Sequence, residues 1–140
     1  MFAATLIVVL IALVIAPTLA SDYNVLFLGN SYTAGIIGTA TFRTLLTSAG
    51  MSVTEVANTP GGANLYYLGN PDYYGNSMGN YIQKANAQWT HVILQGQSQE
   101  ALWGNSYFHY FSVQRLAAAI HAVGAKPVLF ETWARGPGSS

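Results

Sequence analysis

The sequence predicts one α/β domain in which helices cover both faces of a parallel sheet. Three observations predict it. Four short apolar runs have strand length: residues 24–28 (NVLFL), 52–57 (SVTEVA), 91–94 (HVIL) and 127–130 (PVLF). Helical periodicity lies between them, and Gly-rich turns separate helix from strand. Strand alternating with helix implies crossover connections, hence parallel pairing and a three-layer α/β/α, flavodoxin-like architecture. With 140 residues there is room for one such domain.

Residues 1–20 (MFAATLIVVLIALVIAPTLA) carry no charged side chain. Their apolar centre, residues 6–16, is short for a membrane span of ~20 residues and is followed by Pro17, Thr18 and Ala20. This is the pattern of a secretory signal peptide, with a mature chain starting at Ser21. The expected organisation is therefore a leader over 1–20 and one domain over 21–140, on a secreted protein with no membrane contact after cleavage. Without the leader the apolar share falls from 51% to about 45%, an ordinary globular value.

The first strand, 24–28, is almost free of polar residues, as is 91–94, which fits strands covered on both faces. The run 52–57 alternates through Val53 and Val56 and ends near Pro60-Gly61-Gly62. A helix over 36–48 is predicted from Ile37, Thr41, Leu45 and Leu46, stopping at Gly50. A second over 109–123 follows from Phe111, Leu116, Ile120 and Val123, stopping at Gly124. Residues 65–88 fit neither pattern and read as a long tyrosine-rich loop with a short helix near 78–87.

Charge and composition narrow the function. Five basic residues balance five acidic ones, so no basic stripe exists for nucleic-acid phosphates or anionic lipid. The absence of cysteine excludes disulfide scaffolds, thiolate metal sites and cysteine nucleophiles.

In open α/β sheets, ligands bind beyond the carboxyl ends of the strands. The residues there are Gly29-Asn30-Ser31-Tyr32-Thr33, Thr59-Pro60-Gly61-Gly62-Ala63-Asn64, Gln95-Gly96-Gln97-Ser98-Gln99 and Glu131-Thr132-Trp133. Together they make a polar rim on an apolar body. Ser31 follows a buried strand and opens a helix, the placement that exposes a nucleophilic hydroxyl. Oxyanion donors are at hand in the Ser31 and Gly62 N–H groups and a Gln amide from the third strand end. Each block alone is also an ordinary strand-ending turn; it is three blocks on three successive strand ends that point to chemistry.

Gly29-Asn30-Ser31-Tyr32-Thr33 resembles the first block of the SGNH/GDSL hydrolases, with Asn30 in place of the usual Asp. Gly62 matches the glycine of the second block. Val92-Ile93-Leu94-Gln95-Gly96-Gln97-Ser98 is similar to the third block in the variant form of sialate- and acetylxylan-esterase-like members, where Gln replaces Asn. The likeness extends over residues 24–135. It implies a metal-free and cofactor-free ester hydrolase, often acting on acetylated carbohydrate, with Ser31 as nucleophile. It also implies an oxyanion hole from the Ser31 N–H, the Gly62 N–H and a Gln side chain. Gln95 fits the Gln-Gly-x-Ser form, and Gln97, two residues on, lies on the same side of a continuing strand; Gln95 is favoured.

The family draws its base from a late Asp-x-x-His block, which this sequence lacks. Neither Asp22 nor Asp72 has a histidine three residues on. His91 opens a strand at the far edge, His109 begins a helix, and His121 ends one, where it suits the helix dipole. The expectation is a fragment, nearly inactive alone, whose base lies past Ser140. Tyr66, Tyr67 and Trp103 are candidates to stack on a sugar at the mouth of the site, or else they simply cover the sheet edge. The expected partner is a small neutral ester or acetylated glycan. The alternatives are an inactive glycan-binding relative and a phosphate-cradling cofactor binder.

Overall fold

Four parallel strands form one sheet in the order β2-β1-β3-β4: β1 (Asp22–Leu28), β2 (Ser52–Asn58), β3 (His91–Leu94) and β4 (Lys126–Leu129). The computed structural model describes residues 22–70, 72–73, 75, 77–100 and 106–132. The expected leader over 1–20 and Trp103 lie outside them. The helical elements are α1 (Ser31–Gly38), α2 (Thr41–Ser48), α3 (Leu65–Leu68), a π-helical turn (Met78–Ile82) and α4 (Ser106–Ala122). Among the described residues no helix is long and apolar enough to cross a membrane.

Alternation along β1 assigns the two layers. Leu26 and Leu28 join the buried cluster with Leu116 and Ile120 of α4, Leu65 and Leu68 of α3, and Ile82 of the π-helical turn. Phe27, one residue out of phase, meets Phe42 of α2 edge-on on the other face, with ring centroids 5.0 Å apart. The near-continuous apolar run of β1 is thus explained by burial on both sides. β3 adds Val92 and Leu94 to the same cluster.

The strand ends fall level. Leu28 is paired with Asn58 of β2 and with Leu94 of β3, and Leu94 with Leu129 of β4. The ladder runs one step further on each side of β1 and β3, through Gly29 N–H to Asn58 O (3.1 Å), Gln95 N–H to Leu28 O (2.9 Å) and Phe130 N–H to Leu94 O (2.9 Å). After β2 the chain crosses to the far side of β1, so the topological switch lies between β1 and β3. The loops following these two strands diverge there, and a crevice opens between them.

Two helical expectations are corrected. The predicted helix over 36–48 is two helices, the first starting five residues earlier at Ser31. Asn30 caps it, its side chain accepting the Tyr32 N–H at 3.1 Å, so a cap rather than apolar spacing sets the start. The break falls at Thr39-Ala40: the Thr39 hydroxyl donates to the carbonyl oxygens of Gly35 and Ile36, and Ala40 adopts φ 55°. The helix expected near 78–87 is only the π-helical turn, closed by Gln83 N–H to Met78 O at 2.7 Å. The unforeseen α3 is capped by Asn64, whose side chain accepts the Tyr67 N–H. α4 begins three residues before the predicted start and stops, as expected, ahead of Gly124 at φ +78°.

Candidate functional site

The loop after β1 is held from beneath. Gln95 is fully buried, and its Oε1 accepts both the Asn30 N–H (3.1 Å) and the Thr33 hydroxyl (2.7 Å). Its Nε2 donates to Gly96 O. Gln95 is therefore a strut under the Ser31 turn, with its carboxamide committed to the scaffold. Gly29 leaves room for this strut, since a Cβ there would collide with Thr33 Oγ1 and lie 2.9 Å from Gln95 Oε1. Asn30 works in two directions: Oδ1 caps α1 while Nδ2 donates to Ala63 O at 2.9 Å, tying the first strand end to the second. Ser31, next along, is exposed at the first position of α1, where helix N–H groups have no carbonyl partner in the preceding turn.

A cavity of about 570 Å³ opens between the segments that follow β2 and β3. Gly62, Asn64, Tyr66 and Tyr67 reach it from the segment after β2, Gln97, Gln99 and Glu100 from the segment after β3, and Phe108 from α4. Of the residues predicted from sequence, Gly62, Gln97, Tyr66 and Tyr67 thus share one space. Ser31 and Gln95 do not line it. Gly62 has φ +68°, the left-handed backbone that glycine alone adopts without penalty, although an added Cβ would meet nothing within 4 Å. The backbone conformation by itself therefore calls for glycine at this position. The Oε1 of Gln97 accepts the Gln99 N–H at 2.6 Å, which leaves the donor end of this amide for the cavity.

The sequence reading missed Glu100. Its side chain is 4% exposed and accepts three backbone N–H groups, those of Leu65 and Gln97 on Oε2 (each 3.0 Å) and Tyr66 on Oε1 (3.2 Å). One carboxylate thereby joins the loops after β2 and β3, which form two walls of the cavity. His109, expected only to begin a helix, lies in the second turn of α4 with Nδ1 3.8 Å from Glu100 Oε2; this nitrogen is buried and has no hydrogen-bond partner. Gly96 makes the approach possible, because a Cβ there would stand 2.8 Å from Glu100 Oε2 and 3.3 Å from His109 Cε1. The one available signal was a glutamate directly after a glutamine-rich strand end, and spacing gave it no partner.

The other histidines lie apart. His91 opens β3 at the opposite edge of the sheet, with Nδ1 3.2 Å from the Thr90 hydroxyl, and His121 is exposed in the last turn of α4. Among the described residues no group of three or more His, Asp or Glu is disposed to hold a metal ion. The aromatic wall is itself a packed unit. Tyr66 meets Tyr67 and Phe108 edge-to-face, each with centroids 5.5 Å apart. Comparison of the chain with protein-family models, with curated proteins and with solved structures finds no match.

Proposed function

We propose that the chain is the nucleophile-bearing part of a secreted serine ester hydrolase of SGNH type, acting on a carbohydrate ester or another ester without negative charge. The observation that carries this reading is the placement of Ser31. It is an exposed residue at a helix start, just beyond a central strand and at the switch point of a parallel sheet.

In this reading Ser31 Oγ attacks the ester carbonyl carbon, and the carbonyl π electrons move onto oxygen. That oxyanion is met by the N–H groups of Ser31 and Gly62 and by the amide of Gln97, which lines the cavity where Gln95 does not. The Ser31 proton passes to a general base, which the resemblance implies is the histidine of an Asp-x-x-His block. The base returns the proton to the departing alcohol, and water then releases the acyl group from Ser31. The buried Gln95 and Thr33 keep the turn rigid through this cycle.

The test is covalent labelling of the natural secreted protein with a fluorophosphonate, read by peptide mass. An adduct on the Ser31 peptide, absent in Ser31→Ala, is expected, together with an N-terminus at Ser21. No adduct on the full secreted polypeptide overturns the hydrolase reading. A glycan-binding protein without catalysis is the second reading, favoured by one observation: Ser31 is not among the residues lining the aromatic cavity. Saturable binding of an acetylated glycan without an adduct selects it.

A further inference from the structure

Resting on that reading for the role of the ligand as substrate, we infer that the cavity takes an ammonium-bearing sugar, its positive charge set against Glu100 and the rings of Tyr66, Tyr67 and Phe108. This narrows the alcohol part of the ester from any without negative charge to a cationic one.

Charge carries the argument first. Among the described residues lining the cavity Glu100 is the one acidic side chain, and no lysine or arginine is among them. A buried carboxylate is costly unless a cation or several donors compensate it. Here three neutral N–H groups meet the carboxylate, two on Oε2 and one on Oε1, and none of the described residues gives Oε1 a second donor. The nearest side chain able to become cationic is His109, at 3.8 Å from Oε2 and beyond hydrogen-bond reach. Among the described residues the other acid–base pair is Arg43 with Glu55, between α2 and β2.

The rings supply the second argument. Tyr66 stands at 65° to Tyr67 and 74° to Phe108, so the three do not stack into one flat wall. All three rings line the cavity, and aromatic faces attract an ammonium group. The remaining lining is carboxamide, from Asn64, Gln97 and Gln99, which suits hydroxyl groups and repels neither charge. A carboxylate, electron-rich rings and neutral amides in one space match an amino sugar better than a neutral or an acidic one.

The experiment titrates the protein with glucosamine, glucose and glucuronate at low salt, followed by NMR shifts of the cavity residues. Glucosamine is expected to bind roughly tenfold more tightly than glucose, with glucuronate weakest. Glu100→Gln removes the difference between glucosamine and glucose. Phe108 is 49% exposed and so removable without loss of the core, and Phe108→Ala weakens glucosamine about fivefold, which keeps the test decisive should the Glu100 variant fail to fold. Equal binding of glucosamine and glucose, tighter binding of glucuronate, or an unchanged preference in a folded Glu100→Gln protein overturns the inference. A glucosamine preference with no fluorophosphonate adduct on Ser31 overturns the hydrolase reading alone. An adduct without the preference overturns the ammonium site alone.

Discussion

Asn30 shows how much one atom decides in this site. An aspartate at this position would still cap α1 but would place a carboxylate oxygen where Nδ2 now donates to Ala63 O. Asn30→Asp is expected to cost about 1–3 kcal/mol in a denaturant titration, because a buried donor is lost and two acceptors are left facing. An unchanged midpoint would mean that the link between the first two strand ends carries no stability. Thr33→Val tests the strut below: the loss of one hydroxyl donor to Gln95 Oε1 should cost roughly 1 kcal/mol and loosen the Ser31 turn. A fluorophosphonate reaction slowed more than the stability change explains would separate positioning from mere folding. At this scale the sequence revealed Ser31 and Gly62, since a strand followed by a glycine-bearing turn is a local signal. It did not reveal which of Gln95 and Gln97 is buried, because that depends on Gly29 and Thr33, more than 60 residues away in the chain.

Among the elements, those whose cause is local were legible. The four strands were predicted to within two residues at either end, because short apolar runs bounded by turn residues leave little choice. The split between α1 and α2 was not, since Ile37, Thr41, Leu45 and Leu46 mimic one amphipathic surface, yet no residue of α2 is buried and the chain turns at Ala40. α3 was invisible for another reason. It is only four residues long and is held at its N-terminus from two sides, by the Asn64 side chain to Tyr67 N–H and by Glu100 to Leu65 and Tyr66 N–H. Asn64→Ala is expected to lose about 1 kcal/mol, the usual worth of a capping side chain. Glu100→Ala should lose more, since three N–H groups are stranded at once, and hydrogen exchange should rise in the loops after both β2 and β3. Exchange rising in only one of them would show that the carboxylate does not couple the two walls.

At the scale of the whole molecule, the sheet puts the strand-end candidates Ser31, Gly62, Gln95 and Gln97 at one end. β1 and β3 are central, their loops part at the switch point, and Glu100 and Asn30 stitch the diverging loops back to the segment after β2. The edges differ in their protection. β2 carries the Arg43–Glu55 ion pair against α2, whereas β4 presents Val128 and Leu129 at 41% and 57% exposure on an open strand edge. Successive side chains point to opposite faces, so neither face of β4 is covered at its carboxyl end. Pro127 removes one backbone donor, but none of the described residues pairs with the rest of this edge, which is open to another strand as far as they reach. Leu129→Lys is therefore expected to reduce concentration-dependent self-association in sedimentation velocity while changing stability by less than about 0.5 kcal/mol, as for other exposed positions. The paired control is Leu94→Lys one strand inward, fully surrounded by the core, which should abolish folding. If Leu129→Lys leaves association unchanged, the open edge is not what brings copies together. If it unfolds the chain, β4 is more deeply held than its exposure implies, and the rim beyond β3 depends on it.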